Sequence, residues 1–379
     1  MGRRVLSHSR CRPERLHYLS VETPGRILLI RPSALGDVCR TVPVLASLKR
    51  AFPNAAIDWL VQDTFIDSIV AHPDLNRAVP FPRSRLDLGK CLSRGYLRAM
   101  RGFLRELRAP KYDLVIDCQG LSRSGFFAWM TRAPARVGFR HAGELGWLGV
   151  NIRVETSATH TVDRMLTLLD EPRLGPVPVV RDMRLYVPDA ARAVMARAPF
   201  DALEAGGYVV IAPTSRWPGK LWRDDRHIEV IRAMFDRGVE RAVIVGSPGE
   251  SAQVPALTEY AASEPRVIDA IGTTSIGELM AIIEGCRLMV AGDSAALHMA
   301  VGFDRPLVAL FGPTLIHKVG PYGRDADVIQ ACDRNHTLSH KNETAGREAM
   351  DMISTSSVID AVMARLDASD RPAPVPAEG

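Results

Sequence analysis

Short runs of consecutive apolar residues alternate with amphipathic segments along most of the chain. The first apolar run, 27–30, is followed by a turn, an amphipathic segment at 38–52 and a second apolar run at 56–61. Continuous apolar runs of this length are typical of parallel strands buried on both faces, and the spacing between them favours a helix. A strand–helix–strand unit of about 35 residues is therefore predicted from Arg26 onward.

The same alternation recurs in both halves of the chain. Further strands are predicted at 112–117, 136–138, 208–212, 241–245, 288–291 and 307–311. Further helices are predicted at 223–236, at 276–284 and in a separate segment that ends at Val301. Residues 174–188 are rich in proline and favour an extended connector. Two successive sets of strands and helices predict an α/β fold with two doubly wound parallel sheets. Ligands of such sheets bind beyond the carboxyl ends of the strands.

Length and composition agree with two globular domains. The chain has 379 residues, which is long for a single core. Of these residues 46% are hydrophobic and 24% are charged, a composition typical of a folded protein. It contains no apolar run of about 18 residues, as a membrane span requires. The first 25 residues are basic and lack the apolar region of a secretory signal. We therefore expect a cytoplasmic protein.

Cysteines and charge exclude several classes of site. The six cysteines are scattered without C-x-x-C spacing, which favours buried thiols over a disulfide scaffold or a zinc site. The net charge is +5, with basic residues concentrated at 3–15 and 83–111. The first stretch is expected to be a flexible tail; the second is either a solvated helix face or a surface that attracts anions. Neither resembles a nucleic-acid-binding motif, so nucleic acid is not an expected partner.

Three loops at predicted strand ends could carry chemistry. In the first, Gly36 allows close backbone approach to a ligand, and Asp37 is either a helix cap worth about 1 kcal/mol or a general base that activates a hydroxyl. The second, 214–222, contains hydroxyl and cationic side chains suited to a diphosphate. The third, 292–298, has small residues that can cradle a phosphate or a ribose. His298 in this loop is either structural or part of the pocket.

The dinucleotide-binding fingerprint is absent after the first strand, where the chain reads Pro-Ser-Ala-Leu-Gly-Asp. Taken together, the loops resemble glycosyltransferase family 9, the family of the ADP-heptose:lipopolysaccharide heptosyltransferases. The resemblance extends from about residue 26 to residue 325 and is carried by the segments 26–37, 112–121, 215–222, 292–298 and 305–314.

The resemblance implies a GT-B fold, in which two Rossmann-like domains face each other across a cleft. We expect an acceptor-binding domain at 26–185 and a nucleotide-sugar-binding domain at 186–330, after a basic tail at 1–25. The segment 331–379 is expected to contain a helix that packs back on the N-terminal domain, followed by a disordered proline-rich tail. The implied reaction is an inverting transfer without a metal or other cofactor.

The resemblance also implies roles for individual residues. Asp37 matches the catalytic base, and residues on the N-terminal side are expected to bind the acceptor: Ser33, Gly36, Gln119 and Arg123. Residues on the C-terminal side match donor-binding positions: Ser215, Arg216, Lys220, Glu250, Thr274, Asp293, Ser294, Ala295 and His298. The implied donor is ADP-heptose, and the implied acceptor is a lipid-linked anionic saccharide of the lipopolysaccharide-core type. Such an acceptor implies contact with the cytoplasmic face of the inner membrane.

Two departures from the family pattern and two rival functions stay open. Ala295 stands where the family usually has glycine, and of the family's C-terminal cysteine cluster only Cys332 is present. A sugar-nucleotide epimerase of the same fold would consume the donor without an acceptor. A non-catalytic nucleotide-sugar-binding protein would bind the donor and release it unchanged. A nicotinamide-dependent dehydrogenase is a more distant alternative, because the fingerprint is missing.

Overall fold

The computed structural model describes residues 23–86, 93–331 and 342–369. Most of the predicted basic tail, the proline-rich tail and Cys332 lie outside these residues. Among the residues that are described, no helix combines the length and the apolar character needed to cross a bilayer.

The N-terminal half forms a six-stranded sheet in which all strands are parallel and the order is β3-β2-β1-β4-β5-β6. The strands are β1 (Arg26–Ile30), β2 (Ala56–Gln62), β3 (Arg77–Phe81), β4 (Leu114–Asp117), β5 (Ala135–Phe139) and β6 (Ile152–Val154). The helices of this half are α1 (Leu35–Cys39), α2 (Val42–Ala51), α3 (Arg94–Arg108), α4 (Ser122–Thr131) and α5 (Thr161–Leu166). Central strand β1 is fully buried after its first residue, as its apolar run predicts.

The C-terminal half repeats this architecture with the strand order β12-β11-β10-β7-β8-β9, again all parallel. Its strands are β7 (Tyr208–Ala212), β8 (Arg241–Ile244), β9 (Val267–Asp269), β10 (Leu288–Gly292), β11 (Leu307–Phe311) and β12 (Val328–Gln330). Its helices are α6 (Asp224–Asp236), α7 (Pro255–Ser263), α8 (Ile276–Gly285), α9 (Ala295–Gly302), α10 (Ile316–Val319), α11 (Glu343–Asp351) and α12 (Thr355–Ser369). The predicted pair of doubly wound parallel sheets is confirmed.

Each sheet has one position where the strand order reverses. In the first sheet this point lies between β1 and β4, and in the second it lies between β7 and β10. A crevice opens at such a point, because the helices that follow the two strands pack on opposite faces of the sheet. The three loops that the sequence marks as candidates for chemistry follow three of these strands, β1, β7 and β10.

The predicted single helix at 38–52 is wrong. The structure has two helices, α1 and α2, separated at Arg40 and Thr41. Pro43 lies in the first turn of α2, where its missing N–H costs nothing. Inside one continuous helix the same residue would remove a hydrogen bond and clash with the preceding turn.

The expected packing of the C-terminal helix on the N-terminal domain is also wrong. Helix α12 packs against α6, β10 and β11 of the C-terminal half. Val358, Val362 and Leu366 are fully buried in the core cluster that contains the C-terminal strands. Their spacing places them on one helical face, and Arg365 pairs with Asp327 of the same half at 3.0 Å.

Candidate active site

A cleft with a volume of about 520 Å³ lies between the two halves. The loop around α1 forms one wall. The opposite wall consists of the loops after β7, β8 and β10 together with the start of α8. All nine residues that the sequence assigns to the donor line this cleft: Ser215, Arg216, Lys220, Glu250, Thr274, Asp293, Ser294, Ala295 and His298. Gly36 and Asp37 line it from the N-terminal side.

Asp37 is held between two arginines. Arg31, directly after β1, contacts Asp37 Oδ2 through Nη2 at 2.7 Å, and Arg40 pairs with Asp37 Oδ1 through its own Nη2. Arg31 also donates through Nη1 to the carbonyl oxygen of Cys118 at 2.5 Å, and Arg40 Nη1 donates to Val319 O of the C-terminal half at 3.1 Å. Both guanidinium groups are thus fixed by other contacts, so the carboxylate has a defined orientation.

This pairing controls the charge of Asp37. Burial alone would raise the pKa of Asp37, but attraction to Arg31 and then Arg40 outweighs it and lowers the pKa to about 2. A backbone hydrogen bond from Ala34 N lowers the pKa further. Asp37 is therefore ionised at physiological pH and is ready to accept a proton.

On the opposite wall, Lys220 and Asp293 form an ion pair at 2.6 Å. Lys220 ends the short helical turn after β7, and Asp293 follows β10 directly. Ser294 precedes α9, and its buried hydroxyl has no hydrogen-bond partner among the described residues. A lysine, an unpartnered hydroxyl and the amides at a helix start are suited to an anionic group such as a diphosphate.

Glu250 organises the neighbouring part of the donor wall. Its Oε2 accepts hydrogen bonds from Thr214 Oγ1 at 2.7 Å and from Ser247 N at 2.9 Å. The backbone N–H of Ser215 donates to Gln253 Oε1 at 3.2 Å. These bonds tie the loop after β7 to the loop after β8 and hold the acidic side chain of Glu250 at the cleft, where a ribose hydroxyl could reach it.

The two walls meet where α1 contacts α9. A methyl group added to Gly36 would lie 2.9 Å from His298 Cδ2 and 3.4 Å from the Cα of Ala295, so the absence of a side chain allows this approach. Burial holds the pKa of His298 well below its usual range, and repulsion from Arg40 adds to this effect. Nδ1 of this neutral ring has no hydrogen-bond partner within the part of the chain that is described.

The predicted acceptor residues divide between two places. Gln119 lines a cavity of about 240 Å³ next to Arg31, and its Oε1 accepts from Ser33 N at 3.3 Å. Arg123 lies elsewhere, over the Phe81 ring at 5.4 Å from the centroid. It lines a separate surface cavity of about 620 Å³. The structure therefore brings Ser33, Gly36 and Gln119 to the Asp37 side of the cleft, and it does not bring Arg123 there.

Sequence reasoning gave no role to the two arginines beside Asp37. Arg40 follows Asp37 by three residues, a spacing at which side chains meet on a helix. Arg31 directly follows the apolar run 27–30, and the structure shows that it is 7% exposed, so that it requires a partner. The spacing of Arg40 and the position of Arg31 are visible in the sequence, whereas Gln253, which holds Ser215, has no such local signal.

Residues 100–348 match the model of glycosyltransferase family 9 (heptosyltransferase), which is more than half of the chain. The chain belongs to glycosyltransferase family 9. It is therefore a glycosyltransferase.

Individual members of family 9 are similar over most of their length. Lipopolysaccharide heptosyltransferase 1 of Pseudomonas aeruginosa is 30% identical over 322 residues, which covers 79% of this chain and 82% of that protein. Lipopolysaccharide heptosyltransferase 3 of Escherichia coli K12 is 30% identical over 289 residues, covering 74% and 80%.

Solved structures show the same fold. E. coli ADP-heptose lps heptosyltransferase II superimposes with a TM-score of 0.74 at 21% identity and covers 91% of this chain and 100% of that one. E. coli heptosyltransferase WaaC with ADP gives a TM-score of 0.72 at 23% identity, covering 90% and 99%. The GT-B architecture that the family implies is thus confirmed.

Among the described residues, no group of three or more His, Cys, Asp or Glu side chains is arranged to hold a metal ion. Lys220 lines the cleft, and Arg31 and Arg40 pair with Asp37 on the other wall.

Proposed function

We propose that this enzyme transfers heptose from ADP-heptose to a lipopolysaccharide-core-type acceptor, with inversion and without a metal, and that Asp37 is the general base. The observation that carries the proposal is the arrangement of the cleft: an ionised carboxylate on one wall faces an anion-binding turn with a lysine on the other. The heptose and ADP assignment rests on the relatives, whose names specify lipopolysaccharide heptosyltransferases.

In the proposed reaction an acceptor hydroxyl lies beside Asp37, and the carboxylate takes its proton as the oxygen attacks the anomeric carbon. The bond between that carbon and the diphosphate oxygen breaks, and its electron pair remains on the leaving ADP. Because Asp37 and Lys220 lie on opposite walls, attack and departure occur on opposite faces of the sugar, which inverts the anomeric centre.

The leaving diphosphate gains negative charge as the bond breaks. Lys220, the hydroxyl of Ser294 and the amides at the start of α9 are placed to stabilise this charge. Lys220 would exchange Asp293 for the diphosphate, while Arg216 approaches from the same loop. Such preorganised donors would supply the charge stabilisation that a metal ion supplies in other transferases.

A low pKa does not prevent Asp37 from acting as a base. A base is most efficient when its pKa lies near the working pH, so the two arginines reduce its proton affinity in the free enzyme. The acceptor hydroxyl, however, becomes strongly acidic as its oxygen bonds to the anomeric carbon. The carboxylate then needs only to be ionised and correctly oriented, and the arginines provide both.

The remaining donor contacts are proposals of the same kind. Glu250 would accept hydrogen bonds from the ribose, and Thr274, at the end of the loop before α8, would lie near the adenine. The acceptor is proposed to enter from the cavity that Gln119 lines. A lipid-linked acceptor further implies that the enzyme works in the cytoplasm, at the inner face of the membrane.

Calorimetric titration with ADP, UDP and GDP in the presence of EDTA tests the donor assignment. We expect selective binding of ADP, and about 10- to 100-fold weaker ADP binding by Lys220→Ala, because a charge-assisted contact to the diphosphate is lost. Lys111→Ala, which removes an exposed lysine outside the cleft, should bind ADP as the wild type does. Preference for UDP or GDP would overturn the ADP-heptose assignment while leaving the family intact.

The two rival functions differ from this proposal in a measurable way. An epimerase consumes the nucleotide sugar without an acceptor, and a non-catalytic binding protein does not consume it at all. Membership of a glycosyltransferase family supports transfer over both. ADP release that depends on the acceptor would exclude the rivals, whereas donor consumption in its absence would favour the epimerase.

A further inference from the structure

One face of the N-terminal domain exposes large apolar side chains beside a row of arginines. We propose that this face docks the enzyme on a lipid bilayer that carries anionic headgroups. We call it the docking face and define it by the exposed sides of α3, α4 and the segment 143–149. A lipid-linked acceptor implies contact with a membrane; the proposal identifies the surface that makes this contact and is argued from that surface rather than from the reaction in the cleft.

The apolar part of the docking face comes from α4 and the segment 143–149. Trp129 is 57% exposed, and Phe126, 40% exposed, lies beside it with 6.3 Å between the ring centroids. Leu145 and Leu148 are 63% and 60% exposed. A single exposed leucine requires no explanation, but a group of large apolar side chains on adjoining elements marks an interaction surface.

These side chains are adjacent because α4 and the segment 143–149 are in direct backbone contact. A methyl group on Gly125 would lie 2.1 Å from the carbonyl oxygen of Gly146, and one on Gly149 would lie 1.8 Å from that of Gly125. Only glycine permits this approach. The two elements thus form one continuous surface.

The backbone of the segment is strained where it presents its leucines. Leu145 has a φ of 61° and Glu144 a φ of 52°. Residues with a side chain rarely adopt this left-handed region, and a leucine there is an outlier that commonly accompanies function. A strained backbone that places a leucine in solvent is unfavourable in the isolated protein, so a binding partner for this side chain is expected.

The basic part of the docking face is a row of arginines on α3. Arg94, Arg98, Arg101 and Arg105 are all exposed, and their spacing places them along one side of the helix. None of the four pairs with an acidic side chain among the described residues. Helix α3 buries Phe103 and Leu107 against the sheet instead, so its charged side faces outward.

The arginine row and the apolar group point the same way. Helices α3 and α4 pack side by side, with Phe103 and Phe127 at 5.1 Å between their ring centroids, and Arg108 Nε donates to Met130 O at 2.8 Å. Both helices cover the same side of the N-terminal sheet. The other side carries α1, which contacts α9 of the C-terminal half. The docking face is therefore not part of the contact between the two halves.

This chemistry fits a bilayer surface in particular. Tryptophan and leucine insert at the level of the headgroups, and arginines beside them bind anionic headgroups. A second copy of the chain would instead have to cover unpaired arginines with identical arginines, which repel each other. Charge complementarity thus selects an anionic membrane over self-association.

The docking face also adjoins the candidate acceptor cavity. Gly120 and Gly143 line that cavity, and Leu121 and Leu145 lie within two residues of them at its edge. If the proposed function holds, a membrane-embedded acceptor would reach the cavity without leaving the bilayer. This last step alone rests on the proposed function.

Cosedimentation of the full chain with vesicles tests the proposal. We expect binding to vesicles of phosphatidylcholine with phosphatidylglycerol, weakening as salt is raised, and much weaker binding to phosphatidylcholine alone. Each arginine near an anionic surface is worth roughly a fivefold change in affinity. The variant Arg98→Gln/Arg101→Gln/Arg105→Gln should therefore bind at least about tenfold more weakly.

Matched variants separate this face from general charge and from the basic residues 1–22. Arg184→Gln/Arg232→Gln/Arg266→Gln removes the same charge from exposed positions elsewhere and should retain binding. Trp129→Ser/Leu145→Ser/Leu148→Ser should lose binding even at low salt. The thermal unfolding midpoint serves as the folding control for every variant, because it does not depend on the proposed reaction.

A fluorescence signature adds a second readout. Lipids brominated on their acyl chains should quench part of the tryptophan emission of the wild type, and Trp129→Phe should reduce that component, with the remainder coming from Trp147 of the same face. The proposal would be overturned by absence of vesicle binding or by equal binding of all variants. It would also be overturned by a dimer, seen by light scattering without vesicles, that Trp129→Ser dissociates.

Discussion

At the scale of single residues, two carboxylates near the reversal point of the N-terminal sheet have pKa values shifted in opposite directions. Asp37 lies between two arginines, and its pKa is about 2. Asp117, at the end of β4, is fully buried, and burial raises its pKa to about 6 although Gly120 N, Ser124 Oγ and Gln119 N donate to it. Asp37 therefore stays ionised at neutral pH, whereas Asp117 changes its protonation state near pH 6.

The sign of the Asp117 effect on stability follows from its shift. The folded chain binds this proton more tightly than the unfolded chain, whose ordinary value is 3.8. Protonation of Asp117 therefore contributes to the free energy of unfolding below about pH 4. This contribution, about 3 kcal/mol, is lost as the pH rises through about 6. Asparagine can accept the same N–H bonds without charge. We expect the free energy of unfolding of the wild type to fall relative to Asp117→Asn between pH 4 and pH 7.

Urea denaturation at both pH values measures this difference. Parallel pH dependence of the wild type and Asp117→Asn would show that Asp117 does not titrate in this range. Sequence reasoning could not find this residue as a titrating group, because its burial and its three hydrogen bonds depend on how the loop after β4 folds. Asp37, Lys220 and Asp293, by contrast, are candidate site residues from the sequence alone, because each follows a buried strand in a recognisable loop.

At the scale of elements, the approach of α1 to α9 sets the width of the cleft. Gly36 is required at this contact, since a methyl group there would overlap His298. Gly36→Ala should therefore hold the walls apart and lower kcat at least about tenfold, because small misplacements of reacting groups have large effects on rate. ADP affinity should change less than about threefold, because the donor groups other than Ala295 and His298 lie away from the contact.

Gly102→Ala is the matched control for this substitution. It makes the same change within α3, where the added methyl group meets nothing within 4 Å. It should leave kcat unchanged and raise stability slightly, as alanine favours helix over glycine by up to about 1 kcal/mol. Steady-state kinetics and ADP titration of both variants provide the comparison. Wild-type kcat in Gly36→Ala would contradict the role given to this contact.

The sequence predicted central elements better than peripheral ones. Strands β1, β7 and β11 are continuous apolar runs buried on both faces, and this pattern is visible without the structure. Edge strands β6 and β12 have three residues each and are only partly buried, so no apolar run marks them. The resemblance indicated a helix in the segment 331–379 but placed it on the wrong domain, since α12 packs against the C-terminal half.

At the scale of the whole molecule, the active cleft depends on how the two halves are joined. One short segment of the C-terminal half, 318–322, makes several contacts with the N-terminal half. Thr161 Oγ1 donates to Lys318 O at 3.0 Å, and Tyr322 Oη donates to Asp163 Oδ1 at 2.6 Å. Arg40, which holds Asp37, donates to Val319 O of the same segment. The orientation of Asp37 is thus coupled to the placement of the C-terminal half.

Because the site is formed by both halves together, the sequence could predict only part of it. Two separate strand–helix repeats predicted two sheets, and the positions of their loops predicted a cleft. The opposition of Asp37 and Lys220 across that cleft is a property of the assembled molecule, so only the family resemblance indicated it in advance. The separation of Arg123 from Gln119 could not be anticipated, because both follow the same strand, β4.

The central claim is that Asp37 deprotonates the acceptor while the opposite wall binds the donor. The most direct measurement is the rate of ADP release from ADP-heptose, with heptose-free lipopolysaccharide core as acceptor and EDTA present, for the wild type and Asp37→Asn. We predict acceptor-dependent release by the wild type and a loss of about 10²- to 10⁴-fold in the variant, with ADP affinity retained. A variant that turns over within a few-fold of the wild type would contradict the account.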